Sequence, residues 1–186
     1  SFRGPSSSGV MDGANPPTDW DVEKGINVKW KTPIPGFGHG SPISWGNRVF
    51  VVSAVAQDDA TVPFLAGLHS ISTAGSTNRT YIDTLPHTWR VYALDRETGE
   101  IVWERVAKAG VPRLGRHMNQ SQADSTPVTD GTHVVVWFGS EGLYCYDFDG
   151  NLLWEKDLGL LRSGYVTDPA WAWNTSTSLT LYKDLI

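Results

Sequence analysis

Cysteine is almost missing from this chain: Cys145 is the one cysteine in 186 residues, which excludes an internal disulfide and any cysteine-based zinc site. Long apolar runs are missing as well. No stretch approaches the ~20 consecutive apolar residues of a membrane-spanning helix. A composition of 40% hydrophobic and 19% charged residues is that of a water-soluble chain able to bury a core without staples. Excess positive charge is absent too, since 15 Lys+Arg stand against 20 Asp+Glu for a net charge of −5. The positive field that broad nucleic-acid binding uses is therefore lacking, and no nucleic-acid partner is expected. Neither amphipathic helix periodicity nor G-x-S-x-G, P-loop or dinucleotide motifs occur. The five histidines, His39, His69, His87, His117 and His133, show no metal-ligand spacing, so zinc is not expected.

What the chain does carry is turn residues and tryptophan. Its 19 glycines and 11 prolines punctuate a chain of many short elements. Nine tryptophans are several times the usual share and suggest one aromatic position recurring once per repeat. The repeat is visible directly. Ser41-Pro-Ile-Ser-Trp-Gly-Asn-Arg-Val-Phe-Val-Val aligns without a gap on Thr126-Pro-Val-Thr-Asp-Gly-Thr-His-Val-Val-Val-Trp, Pro42 falling on Pro127, Gly46 on Gly131 and Val49 on Val134. A degenerate third copy begins at Ser178, with Leu179 on the proline position. Each copy is an apolar run, a two-residue turn signal and then β-branched residues, which is a hairpin signature.

A second unit follows the first two copies. Ala93-x-Asp95-x-x-Thr98-Gly99-x-x-x-Trp103 is echoed by Cys145-x-Asp147, then Gly150 and Trp154, with a turn one residue shorter. The aspartate can accept hydrogen bonds from its own turn, the glycine supplies φ > 0, and the small residue leaves room for an indole. Trp30 reads as the closing strand of an earlier repeat. One unit is thus four strands ending in Trp. The first full unit is lengthened by an insertion at about 57–88, Gly/Ser/Thr/Ala-rich and weakly periodic, expected as a long surface excursion. Four-stranded units at this spacing indicate an all-β β-propeller of antiparallel blades.

The A-x-D-x-x-T-G-x-x-x-W run resembles the blade motif of bacterial PQQ-like (quinoprotein-type, BamB-like) β-propeller repeat proteins, and the opening Phe2-Arg-Gly-Pro-Ser-Ser-Ser-Gly-Val resembles their mature start. The resemblance implies a ring of seven or eight blades in which each Trp packs on the neighbouring blade. Trp30, Trp103 and Trp154 would then be structural, and Cys145 a small buried residue. It also implies an exported protein, periplasmic or extracellular. About three blades are expected here: an N-terminal segment and the end of a first blade at 1–36, a blade with its insertion at 37–108, a blade at 109–160, and the start of another at 161–186. The chain is expected to be the N-terminal portion of a longer protein, or to be completed by blades of another subunit.

Ligands usually meet propellers where one blade connects to the next. The register places His39, Asp124 and Ser176 at equivalent positions there, as a polar rim for a small ligand or cation, or as turn residues that satisfy backbone groups. Asn119 and Gln122 lie in the same connection. Arg105, Lys108, Arg113, Arg116 and His117 form a basic stretch, open to an anion or acidic partner or simply solvated. Trp171 and Trp173 could stack on a sugar or quinone, or cover the channel. Asn78-Arg79-Thr80, Asn119-Gln120-Ser121 and Asn174-Thr175-Ser176 satisfy the glycosylation pattern. Three functions follow. A non-catalytic binding or scaffold subunit, partnered by other proteins, is expected first, with no confident cofactor. The alternative implied by the family is a PQQ-dependent alcohol or sugar dehydrogenase, in which calcium is held by carboxylate and amide groups and an Asp acts as base. The adjacent Cys-Cys ring common in alcohol dehydrogenases of that kind is not available to a chain with Cys145 alone. A glycan-binding module built on Trp171 and Trp173 is the third.

Overall fold

A computed structural model of the chain describes residues 8–10, 12–59, 80–164, 172–183 and 185–186. Among them the architecture is all-β, with only two 3-10 turns, Gln57–Asp59 and Gly139–Glu141. In chain order the strands of the first half are β1 (Ile43–Trp45), β2 (Arg48–Ala56), β3 (Thr80–Tyr81), β4 (His87–Asp95), β5 (Ile101–Gly110) and β6 (Arg116–His117). Those of the second are β7 (Val128–Thr129), β8 (His133–Trp137), β9 (Leu143–Asp147), β10 (Leu152–Lys156), β11 (Arg162–Gly164) and β12 (Ala172–Asn174). Two four-stranded antiparallel meanders result, β1-β2-β4-β5 and β7-β8-β9-β10. They are the two propeller blades.

The register follows the turn chemistry. Trp45 pairs with Arg48 across Gly46, whose φ of +54° is the left-handed step a two-residue hairpin takes at its first central position. Asp130 does the same work between β7 and β8 by accepting the backbone N–H groups of Thr132 and His133 at 2.8 and 2.7 Å. The insertion falls between β2 and β4, which pair from Arg48↔Asp95 through to Ala56↔His87. Its expected extent of 57–88 is two residues too long, because His87 and Thr88 already pair with β5 as strand. Nor is its described end a free excursion, since β3 pairs with β6 in the connection between the blades.

The core lies between the two sheets. Phe50, Val52, Trp89, Val91 and Trp103 from the first blade pack with Val134, Val136, Phe138, Tyr144 and Tyr146 from the second. Phe50 and Phe148 meet edge to face at 5.2 Å, a favoured aromatic geometry.

The Asp-Gly-Trp motif joins neighbours by one repeated arrangement. Asp95 Oδ1 accepts Glu97 and Thr98 N–H at 2.8 and 3.0 Å, and Asp147 Oδ1 accepts Asp149 and Asn151 N–H at 3.0 and 2.8 Å. The Asn151 carboxamide, which donates to Asp147 Oδ2 at 2.8 Å, together with the turn N–H groups holds the Asp147 carboxyl below the usual carboxylate range, and the Thr98 and Glu97 N–H groups do the same for Asp95. Each turn then presents a bare glycine to the preceding tryptophan. Gly99 (φ +77°) lies under Trp30 and Gly150 (φ +79°) under Trp103, so closely that a Cβ would stand 2.5 and 2.8 Å from the indole. Trp30 Nε1 donates to the Arg96 carbonyl at 2.9 Å and Trp103 Nε1 to the Phe148 carbonyl at 2.8 Å, the residue after the aspartate in each case. Two residues beyond each Trp a second donor follows: Thr32 Oγ1 to the Gly99 carbonyl at 2.6 Å, Arg105 Nε to the Gly150 carbonyl at 2.7 Å. Trp30 does this from an extended segment outside any strand. The ring dominates energetically, since removing a buried Trp side chain costs about 3–5 kcal/mol and one hydrogen bond contributes about 1 kcal/mol.

Cys145 occupies the small position opposite Trp154 and is buried. Burial pushes its thiol up to about 11, so it stays protonated and behaves as a small apolar residue.

Gly46 has the same sign of φ but open space where a Cβ would stand, which makes it the control for the latch. Gly46→Ala should cost about 1–2 kcal/mol for the left-handed backbone alone. Gly99→Ala and Gly150→Ala should each cost about 1–3 kcal/mol more, because the methyl overpacks the indole. Urea midpoints at constant m-value measure the difference, and equal losses at all three sites would contradict the latch.

Candidate functional site

The face that carries the blade-to-blade connections is built by repetition. Ser41 N–H donates to Thr126 Oγ1 at 3.1 Å, and Thr126 N–H donates to Ser178 Oγ at 3.2 Å. These are three equivalent positions of the repeat, each a hydroxyl immediately before an inner segment. The segment before them is held tightly as well: His39 and Gly40 N–H both donate to the Ala123 carbonyl, and a Cβ on Gly40 would stand 2.6 Å from the Ser125 carbonyl oxygen.

On this frame the structure brings two of the three rim residues into contact. His39 Nδ1 lies 3.1 Å from Asp124 Oδ1. Asp124 also accepts the N–H of Ser121 at 2.9 Å and the Ser121 hydroxyl. The third position, Ser176, accepts from Gln120 Nε2 at 3.2 Å. Asn119 is turned back on His117, its Oδ1 against the ring nitrogen Nδ1.

The basic stretch is drawn into the fold rather than spread along a solvated loop. Arg116 is 3% exposed, and its Nε donates to Asp83 Oδ2 at 3.0 Å, its Nη1 to the Gln120 carbonyl at 2.8 Å. Its guanidinium sits 4.9 Å over the Tyr81 ring. Buried Gln122 donates from Nε2 to the same Asp83 oxygen at 3.0 Å and to the Leu114 carbonyl at 3.1 Å, while its backbone carbonyl accepts from the buried Trp89 indole. Arg113 makes a two-pronged pair with Asp157 at 2.8 and 2.6 Å and donates to the Ser140 carbonyl. Arg105 is spent on the latch.

Two further features bear on modification and stacking. Asn174 is buried, and its Oδ1 accepts Ser140 and Thr175 N–H, both at 3.0 Å, so its carboxamide is not displayed as a glycosylation acceptor. The backbone of Trp173 pairs with Ser163; Trp171 and Asn78 lie outside the described residues.

Asp83 and Glu141 carry weight here without having shown in the sequence. Asp83 sits in an insertion with no periodicity and meets Arg116 only through the β3–β6 pairing. Glu141, in the Gly139–Glu141 turn, accepts the Arg113 N–H at 2.7 Å. Burial raises its carboxyl above the usual range, because the charged form loses water. Asp21 was also missed. Asp21-x-x-x-Gly25 has the Asp95-to-Gly99 spacing, and Asp21 Oδ1 accepts Glu23 and Lys24 N–H, both at 3.0 Å. It is a third copy of the turn, ahead of Trp30.

Residues 87–176 match the family model described as outer membrane protein assembly factor BamB. The match runs from the start of β4 through the second blade to Ser176 at the rim. No curated protein matches the chain.

Two outcomes check the electrostatics. Arg116→Met or Asp83→Leu alone should cost about 3–5 kcal/mol by leaving a buried charge unpaired, whereas the double variant should lie well short of the sum. Chemical denaturation of the three variants closes the cycle. For Glu141 the raised folded value means that the folded state holds its proton more tightly. Its contribution is fully present below the ordinary 4.5 and falls as pH rises through the folded value. Glu141→Gln should therefore be more stable than the parent at pH 7, with the gain vanishing near pH 4, as read from melting temperatures across that range.

Proposed function

The chain is a PQQ-like repeat protein, BamB-like through residues 87–176, and from that premise we propose that it acts as a non-catalytic binding or scaffold subunit of an exported protein assembly. The matched family is associated with the periplasm and with assembly at the outer membrane. Among the described residues no helix is long and apolar enough to cross a membrane.

The observation that carries the reading is that the rim side chains pair with one another. His39 with Asp124 and Gln120 with Ser176 make a fixed surface, its backbone held by the Ser41-Thr126-Ser178 hydroxyls and supported by the buried Asp83, which accepts from both Arg116 and Gln122. A surface ordered before contact loses little entropy when a protein partner docks.

The same pairing speaks against the oxidoreductase alternative. A calcium-bound quinone needs carboxylate and amide oxygens directed at the metal. At this rim Asp124 is occupied by Ser121 and His39, and Asp83 is buried and neutralised by Arg116. These residues do not fit the PQQ–calcium pair.

His39 is half exposed, so His39→Glu alters the rim with little effect on the core. Cross-linking in the native source, followed by mass spectrometry, should lose the partner protein in this variant while the melting temperature is unchanged. An unaltered partner profile would count against the rim. A quinone absorption band appearing on addition of PQQ and calcium would favour the dehydrogenase reading instead.

A further inference from the structure

Two small spaces lie beneath the rim, each of about 10 Å³, and both are walled by Arg116, Gln120, Ser121 and Gln122. One is closed on its far side by Phe37 and His87, the other by Asp124 and Ser176. Gln122, which borders both, is 5% exposed. Its Nε2 donates to Asp83 Oδ2 and to the Leu114 carbonyl. Both partners are acceptors, so the carboxamide cannot turn over and its Oε1 must itself accept. That oxygen is buried and meets no donor of the protein. The Ser53 and Tyr92 hydroxyls are buried and unpartnered too, but a hydroxyl both donates and accepts and rotates to suit its neighbours. A carboxamide oxygen has no such freedom, and left without a donor it forfeits its hydration outright.

The space decides what the donor is. A volume of about 10 Å³ admits one water and nothing larger. The Arg116 guanidinium in both walls repels a cation, and among the described residues no group of three His, Cys, Asp or Glu side chains stands together to hold a metal. An anion would face the Gln122 oxygen with the Asp83 carboxylate close behind it.

We propose that one ordered water is bound inside the protein at Gln122 and donates to its Oε1. The water joins two networks. Arg116 and Gln122 hold Asp83, at the returning end of the insertion, while Gln120 reaches Ser176 and Ser121 reaches Asp124 at the rim. The residues around the water belong to one network or the other, and they supply the further polar partners a buried water takes. Because Arg116, Ser121 and Gln122 are buried, the water leaves only when these walls part, and it exchanges far more slowly than surface water.

A high-resolution crystal structure of the 186-residue chain, paired with magnetic relaxation dispersion of the water oxygen in solution, tests this. The parent should show one density peak about 2.5–3.0 Å from Gln122 Oε1, the span of an O–H···O bond. Gln122→Met keeps the length of the side chain and removes the acceptor. It should lose that peak, and its dispersion amplitude should fall by the share of one long-lived water. A parent with no peak at that oxygen, a Gln122 side chain turned onto a protein donor, a peak whose anomalous signal or contact distances mark an ion, or a Gln122→Met variant that keeps both peak and amplitude would each overturn the proposal. Should Gln122→Met fail to fold, the density at Gln122 in the parent decides alone.

Discussion

An indole lying on a glycine is the contact on which the rest of this structure depends. A sheet that is hydrophobic on one face must bury it against another element, and each blade here buries that face against the next. Trp103 bridges the two because it is anchored at both ends. It pairs with Ala93 inside its own sheet, and its ring reaches the Gly150 turn of the neighbour. The aspartate, the glycine and the small residue of the motif all serve that one contact. Asp147 shapes the turn, Gly150 leaves the turn bare, and Ala93 leaves room for the indole.

The second tie lies on the connection side, where Ser41, Thr126 and Ser178 hand a hydrogen bond from one repeat to the next. Latch and hydroxyl step together hold neighbouring repeats at two separate places, which fixes their angle and not only their proximity. The rim inherits that rigidity. His39 meets Asp124 because the two occupy equivalent positions of adjacent repeats whose spacing is already set, so the proposed docking surface is a consequence of the repeat geometry.

Turn chemistry made most of the fold legible in advance. Gly46, Gly99 and Gly150 sit where only a few residue types are tolerated, and the aligned Pro42 and Pro127 mark where each repeat begins. The Asp21 turn was equally legible in its Asp-to-Gly spacing, but Trp30 follows one residue later than Trp103 does, and the shift hid the match. The Asp83–Arg116 pair was not legible at all. Its partners are far apart in sequence, one of them lies in an aperiodic insertion, and a charged residue in a loop ordinarily stays in water. The rim contacts were half legible: equivalence placed His39 and Asp124 at the same end, but the chemistry of two side chains meeting is set by the angle between blades, which no local pattern records.

Scanning calorimetry of the parent and of Trp103→Ala tests most directly whether the latch makes the two blades one cooperative unit. The account predicts a single transition for the parent, with calorimetric and van't Hoff enthalpies equal, and a lower-melting, broadened or split transition once the indole is gone. Two resolved transitions in the parent, or a Trp103→Ala variant that melts as the parent does, would contradict it.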